Sequence, residues 1–239
     1  MKRPLENILL KLPREQLEIT QDDLIRGRIG FERELIDPLE FYNLFRHAIF
    51  IILTFGDNYR KSITINNELI NNGFTRPDLY RRSNQKLRRI LEKQGWNETR
   101  VPRIYNFVDW FKRSDLPKKI IEDGKKGNNH QFELRDQIAR EAMGLELKGS
   151  SLLVNQTGGA DVVCIDIWAQ RYVQALGEPI KCTDYKTIGG PRGSDYYAQE
   201  RFITDLASKA GVRPAIYKAA IWEKRAYWKR VHNEAKQIS

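Results

Sequence analysis

Apolar residues recur at helical spacing along most of this chain, and the strict alternation typical of exposed strands is rare. The segment Phe41–Phe55 is apolar on nearly all sides, which predicts a buried central helix. The pattern predicts further helices over Leu5–Leu17, Glu32–Leu39, Ile63–Asn72, Lys86–Lys93, Arg100–Phe111, Phe132–Met143, Lys148–Gln156, Asp166–Leu176, Tyr196–Ala210 and Ile216–His232. The fold class that we expect is therefore mainly α.

Two basic segments containing glycine lie between these helices and predict surface loops. The clearer one is Lys118–Asn129, with the sequence KKIIEDGKKGNN, and the other is Lys186–Gly193. A shorter break occurs where Gly144 follows the helix Phe132–Met143. This break predicts a tight turn between that helix and the next one, Lys148–Gln156.

The charge of the chain indicates an anionic partner. Among 239 residues, 41 Lys and Arg stand against 31 Asp and Glu, so the formal net charge is +10 and the isoelectric point is near 9.6. Such an excess attracts polyanions, of which DNA, RNA and anionic membranes are the obvious examples. A cationic surface without a specific partner would give the same composition.

Cysteine and histidine are too few for the common metal and redox sites. Cys164 and Cys182 cannot form a disulfide framework or supply the four thiolates of an iron–sulfur cluster. The histidines, His47, His130 and His232, are far apart in sequence and no HExxH motif is present, so we expect no metal site. Unpaired cysteines are typical of a reducing compartment, which is either the cytoplasm or the nucleus. In the cytoplasm a DNA-binding protein would associate with the nucleoid.

No segment indicates export or membrane insertion. The N-terminal sequence MKRPLENILLKLPREQ is too interrupted by charge to be a signal peptide. The longest apolar run, Phe41–Phe55, contains Asn43, Arg46 and His47. It falls short of the ~20 apolar residues that a membrane-spanning helix needs, so we expect no membrane partner.

One lysine is placed where a helix begins after a tight turn. Lys148 lies in the first turn of the second helix of the pair Phe132–Gln156. The positive end of the helix dipole disfavours a charged amine at this point, and a nucleophilic lysine needs a neutral amine. A solvated surface lysine is the commoner explanation for any single residue of this kind.

One aspartate complements this lysine. Asp166 follows the apolar run Val162–Ile165 and precedes a helix, which predicts that it is the N-cap. A carboxylate held ionised by helix N–H groups can also stabilise a developing positive charge on a sugar. A lysine and an aspartate together suit an enzyme that breaks the bond between a base and its sugar through a covalent imine.

The segments around these two residues resemble the helix–hairpin–helix superfamily of DNA glycosylases, and are most similar to archaeal-type 8-oxoguanine DNA glycosylase/lyases. The family pattern, roughly KGxGxKEASHFLRN, is matched by MGLELKGSSLLVNQ, and the segment of its aspartate by CIDIWAQRY. In this resemblance Lys148 aligns with the Schiff-base lysine and Asp166 with the catalytic aspartate. Further matching residues are Gly144, Ser151, Asn155 and Arg171. Looser similarity extends to AIFIILTFGDN at 48–58 and to residues 197–222.

The resemblance implies a two-lobed helical fold with its active site in the cleft between the lobes. One lobe would comprise residues 1–35 and 157–239, and the other residues 36–156, with the helix–hairpin–helix at approximately 133–156. The implied activity is that of a monomeric DNA glycosylase/AP lyase without a cofactor. It would excise a damaged base from double-stranded DNA through a lysine Schiff base and β-elimination, and the expected base is 8-oxoguanine.

The resemblance also implies roles for residues around the base and the DNA. The side chains expected to face an extruded base are Trp222, Trp168, Phe55 and Leu152. The residues expected to contact DNA are Gly144, Glu146, Asn58, Arg171 and Arg192. The aromatic residues among them could equally belong to the core.

Three departures from the family pattern keep other functions open. Glu146 replaces the second glycine of the hairpin, Trp168 replaces a histidine, and Leu152 follows Ser151 where the family has a histidine. One alternative is a glycosylase for a different modified base, of viral or defence-related origin. The other alternative is a non-catalytic DNA-binding protein with the same fold, although DNA binding alone requires neither Lys148 nor Asp166.

Overall fold

A computed structural model of the chain describes residue 9 and residues 12–37, 39–54, 59–82, 84–93, 95, 100–177 and 193–238. These residues form helices and turns and contain no strand, which confirms the predicted mainly α fold class. The helices are α1 (Arg14–Leu17), α2 (Gln21–Arg33), α3 (Phe41–Thr54), α4 (Tyr59–Asn71), α5 (Pro77–Arg82), α6 (Asn84–Glu92), α7 (Arg100–Arg113), α8 (Leu116–Lys125), α9 (Gln131–Glu141), α10 (Glu146–Gln156), α11 (Ile167–Ala175), α12 (Ser194–Lys209) and α13 (Pro214–Ile238). None of these helices combines the length and the apolar character that crossing a bilayer would require.

The prediction of a surface loop over Lys118–Asn129 was wrong. Most of that segment belongs to α8, which buries Leu116, Ile120 and Ile121. These three residues share one helix face, while the lysines between them lie on the other. The lysines therefore reflect a solvated helix face, and the chain turns only after Lys125.

The prediction of a helix over Glu32–Leu39 was also wrong, because α2 begins at Gln21 and ends at Arg33. Thr20 caps α2 by accepting a hydrogen bond from Asp23 N, and the Asp23 carboxylate accepts one from Thr20 N in return. The apolar pattern of α2 is irregular, since Ile25 is exposed while Leu24 and Gly27 are buried. A search for buried apolar residues at helical spacing consequently misses this helix.

The described residues form two compact units, the first within residues 1–34 and 160–239 and the second within residues 35–159. In the first unit α2 packs along α13 at very short range. A Cβ atom built on Gly27 would lie 2.6 Å from Ala220 N and 2.7 Å from Ile216 O. Glycine at position 27 is thus what allows the two helix backbones to approach.

A buried ion pair fixes the same two helices of the first unit. Lys224 Nζ on α13 lies 2.8 Å from the Asp23 carboxylate on α2. Trp228 Nε1 of α13 also donates to Gln16 O of α1 at 2.9 Å. Burial alone would raise the pKa of Asp23. The hydrogen bonds from Lys224, Arg26 and Thr20 instead hold its pKa at about 2.

The second unit is built around α3. Phe45 on this helix packs against the rings of Tyr80, Phe107 and Phe111, and all four side chains are buried. The predicted central helix is confirmed over the fourteen residues of α3. The helices α9 and α10 pack against each other in this unit, and α10 also contacts α3.

Candidate active site

The predicted helix–turn–helix is confirmed in the second unit, as α9, a short turn and α10. Ala142 N donates to Ile138 O at 2.8 Å, and Leu145 N donates to Ala142 O at 3.1 Å. Glu146 begins α10, two residues before the predicted start, and Ser150 Oγ donates to its carbonyl oxygen at 2.6 Å. These bonds define a tight hairpin whose second helix starts with backbone N–H groups that have no partner within the helix.

The hairpin turn requires two residues in the left-handed region of the backbone. Gly144 has a φ of +99°, which glycine adopts without strain. Glu146 has a φ of +41°, and it is one of two non-glycine residues with positive φ in the described part of the chain. Position 146, where the family that this chain resembles has its second hairpin glycine, would therefore fit glycine better than glutamate.

Lys148 lies in the first turn of α10, as predicted. Its side chain is half-buried, whereas Gly149, Ser150 and Ser151, which follow it, are buried. Leu152, predicted to face a base, is half-buried on the same helix. Lys148 and the hairpin belong to the second unit, and Asp166 belongs to the first.

Asp166 is the N-cap of α11, which confirms the cap prediction. Its Oδ1 accepts hydrogen bonds from Trp168 N and Ala169 N, both at 2.9 Å. The residue is 6% exposed, so a carboxylate with directed partners is buried at a helix start. Such a carboxylate is suited to electrostatic stabilisation of a nearby positive charge, because its dipolar environment is already in place.

The extended segment before Asp166 is held by side chains of α12. Tyr196 Oη donates to Val163 O at 2.7 Å and accepts from Ile165 N at 3.2 Å. Glu200 Oε1 accepts from Val163 N at 2.8 Å. These side chains pair the backbone of a buried segment that has no neighbouring strand among the described residues, and thereby fix where Asp166 emerges.

The Asp166 carboxylate also pairs with a residue that the sequence reasoning missed. Lys218 Nζ on α13 lies 2.8 Å from Asp166 Oδ2, and the two side chains are 13% and 8% exposed. Burial by itself would lower the pKa of Lys218, but the Asp166 carboxylate raises it above its ordinary value. The only available signal in the sequence was the position of Lys218, one helical turn before Trp222.

The two tryptophans predicted to face a base both contact cations. Arg225 Cζ lies 3.7 Å from the centre of the Trp222 ring, and Lys218 Nζ lies 5.3 Å from it. Trp168 is buried, with Arg171 Cζ at 5.1 Å from its ring centre and a lysine ammonium of α13 at 5.3 Å. Stacking of a base on either ring stays a prediction, and on Trp222 it would compete with the guanidinium.

The remaining predicted site residues have different positions. Arg171 is buried on α11 beside Trp168. Phe55, Asn58 and Arg192 lie outside the described residues. Within the described ranges, no three His, Cys, Asp or Glu side chains come together where they could hold a metal ion.

Comparison with known proteins gives one family and several similar structures. A family model described as 8-oxoguanine DNA glycosylase matches residues 32–212, about three quarters of the chain. No curated protein sequence matches the chain significantly.

Crystal structures from two organisms share the fold. The 8-oxoguanine DNA glycosylase of Thermotoga maritima is 21% identical, with a TM-score of 0.64 over 87% of this chain and 93% of that one. The 8-oxoguanine glycosylase/lyase of Methanocaldococcus jannaschii, in complex with a 15mer DNA containing 8-oxoguanine, is 17% identical, with a TM-score of 0.63 over 89% and 94%. A second structure of the Methanocaldococcus jannaschii 8-oxoguanine DNA glycosylase has 16% identity and a TM-score of 0.58 over 89% and 87%.

Proposed function

This chain belongs to the 8-oxoguanine DNA glycosylase family, and from that premise we propose that it excises 8-oxoguanine from duplex DNA and cuts the strand at the resulting abasic site. Lys148 is the proposed nucleophile, and Asp166 the proposed electrostatic partner of the sugar. The observation that carries the proposal is the buried Asp166 carboxylate, which the N-terminus of α11 holds by two hydrogen bonds.

The proposed chemistry needs only an amine and a carboxylate. As the bond between the base and C1′ breaks, the base leaves with the electron pair and takes up a proton, and the sugar gains positive charge that the Asp166 carboxylate stabilises. The Lys148 amine bonds to C1′ and loses its protons as the sugar ring opens, which gives an imine. Loss of a proton from C2′ then expels the 3′ phosphate by β-elimination.

The proposal that DNA is the partner has separate support. The net charge of +10 favours a polyanion, and the hairpin presents the start of α10, where backbone N–H groups can bind a phosphate. One of the similar structures contains DNA with the lesion in question. A flipped base would additionally need an aromatic or apolar face, for which the predicted residues within the described part of the chain are Trp222, Trp168 and Leu152.

Incision and trapping assays test the proposed function. The wild-type protein should cleave a duplex oligonucleotide containing one 8-oxoguanine and should be trapped on it covalently by borohydride. Lys148→Ala should lose trapping to background, because no other residue supplies the imine nitrogen in this proposal. Lys119→Ala removes an exposed lysine of α8 and is the matched control, which should trap as the wild type does.

A panel of lesions separates the proposal from its alternatives. Cleavage of another modified base, but not of 8-oxoguanine, would support a glycosylase of different specificity. Salt-dependent binding of duplex DNA without any cleavage would support a non-catalytic DNA-binding protein. Full trapping of Lys148→Ala would remove Lys148 from the nucleophilic role.

A further inference from the structure

The buried ammonium of Lys218 has no role in the chemistry proposed above. It lies 2.8 Å from Asp166 Oδ2, while Asp166 Oδ1 accepts the N–H groups of Trp168 and Ala169. The two oxygens of the carboxylate therefore have different partners. Together these partners hold the carboxylate in one orientation within the first unit.

Helix capping does not account for this lysine. The two hydrogen bonds that Asp166 Oδ1 accepts already cap α11, and neither of them needs a cation. Nor is a buried ion pair an efficient source of stability, since well-packed apolar side chains of similar volume often replace one without loss. The pair is better explained by a requirement for charge at the carboxylate.

We propose that Lys218 is a positioning residue for base excision, which keeps the Asp166 carboxylate ionised and fixed in orientation until positive charge develops on the sugar. This inference rests on the proposed function. Without a cation, a carboxylate that is 6% exposed tends to take up a proton, because burial disfavours the charged form. A protonated Asp166 would no longer stabilise a positive sugar.

Two further groups of the first unit act on the ammonium of Lys218. Cys164 in the extended segment and Glu34 after α2 also influence Lys218, and both act in the same direction as Asp166. The Trp222 ring lies near the ammonium, at 5.3 Å. Lys218 is thus a cation whose removal should change the ionisation of Asp166.

Carbon-13 NMR of aspartate side-chain carboxyls tests the ionisation without any substrate. The Asp166 signal is assigned by its loss in Asp166→Asn. In Lys218→Met it should titrate at a pH about 1–3 higher than in the wild type, and Lys218→Arg should restore the wild-type titration. If Lys218→Met does not fold, Lys218→Gln takes its place, since it removes the charge and keeps a donor. An unchanged titration would overturn the inference whether or not the wild type excises a base.

The pH profile of single-turnover excision tests the consequence for activity. The acidic limb of the Lys218→Met profile should move to a pH about 1–3 higher, so that excision at a fixed pH on that limb becomes roughly ten to a thousand times slower. Lys224→Met is the matched control, because it breaks a second buried lysine–aspartate pair of α13 away from Asp166. It should lower the melting temperature and leave the acidic limb in place.

A double-mutant cycle asks whether Lys218 acts through Asp166. In an Asp166→Asn background, Lys218→Met should cause no further loss of excision, because there is no charge left to hold. A further loss of the same size, or an equal loss at every pH in the single variant, would indicate a structural role and overturn the inference. A wild-type protein that excises no base would instead overturn the proposed function, and the NMR result would still decide the role of Lys218.

Discussion

At the scale of single residues, the hairpin contains a strained glutamate. Glu146 has a φ of +41° at the first position of α10, a region of the backbone that costs a residue with a side chain about 1–2 kcal/mol. The strain lies in the turn that the proposed function assigns to phosphate binding, and the Glu146 carboxylate adds a negative charge there.

We expect Glu146→Gly to stabilise the protein. Relief of the backbone strain should exceed the entropy that glycine loses on folding, with a net gain of about 0.5–1 kcal/mol in the free energy of unfolding. Urea denaturation measures this gain. Glu133→Gly makes the same change within α9 and should cost about 1 kcal/mol. A loss of stability in Glu146→Gly would mean that the side chain makes contacts worth more than the strain.

The surroundings of Asp166 could be predicted from the sequence only in part. The cap role of Asp166 follows from local order, an aspartate between an apolar run and a helix, and the structure confirms it. Its contact with Lys218 joins positions far apart in sequence through the packing of α13. No local pattern encodes such a contact, so the sequence could indicate the carboxylate but not its cation.

At the scale of secondary structure elements, α2 packs closely on α13 in the first unit. The approach depends on Gly27, whose neighbours across the interface are backbone atoms. Gly30 lies nearly one turn later, and the atoms closest to it belong to the flexible side chain of Glu223. The two glycines therefore offer a matched pair in one helix.

We expect Gly27→Ala to destabilise the protein, although alanine is the better helix former. The new methyl group would lie within 2.6–2.7 Å of backbone atoms of α13, and overpacking of this kind costs about 1–3 kcal/mol. Gly30→Ala should be neutral or stabilising by up to about 1 kcal/mol, because the Glu223 side chain can move aside. Thermal unfolding of both variants checks this, and equal melting temperatures would contradict it.

Helix prediction succeeded most clearly for α3 and failed for α2 and α8, where glycine or lysine obscures the apolar pattern. The prediction for α3 is confirmed because its buried face is apolar. The prediction for α10 is confirmed although serine, asparagine and glutamine lie on its buried face beside leucine and valine. In α2 two glycines and an aspartate share the buried face with one leucine, and in α8 lysine and glycine dominate the composition around three buried apolar residues. Composition describes the solvated face of a helix as readily as it describes a loop.

At the scale of the whole molecule, the free energy of unfolding should depend on pH through the ionisation of Asp23. Its carboxyl has a pKa of about 2 in the folded protein, below the ordinary value of 3.8, because Lys224, Arg26 and Thr20 bind the charged form. A lowered pKa adds stability that is complete above the unfolded pKa and is lost as the pH falls through the folded one.

We therefore expect the stability advantage of the wild type over Asp23→Asn to shrink between about pH 4 and pH 2. Urea midpoints of both proteins across this range measure the difference. Asp115→Asn alters an exposed carboxylate and is the control, with little change expected in the difference from the wild type across this range. A constant difference between wild type and Asp23→Asn down to pH 2 would contradict the ion-pair explanation.

The family of the whole chain could be predicted from two short segments, and the family model confirms it over residues 32–212. Hairpin and aspartate segments are recognisable because their backbone geometry restricts the residue types, as the φ of Gly144 shows. The identity of the excised base could be predicted less well, since Trp168 and Leu152 depart from the family pattern at positions that are expected to face the base. The effect of these replacements on base recognition depends on which atoms the new side chains contact, and residue spacing does not encode such contacts.

The position of Asp166 has an evolutionary consequence. One carboxylate begins a buried helix and, in the proposed function, also serves the chemistry, so selection for folding alone would retain it. Descendants of this family that have lost enzymatic activity are expected to keep the aspartate and to diverge first at position 148. The lysine is therefore the better marker of an active lineage.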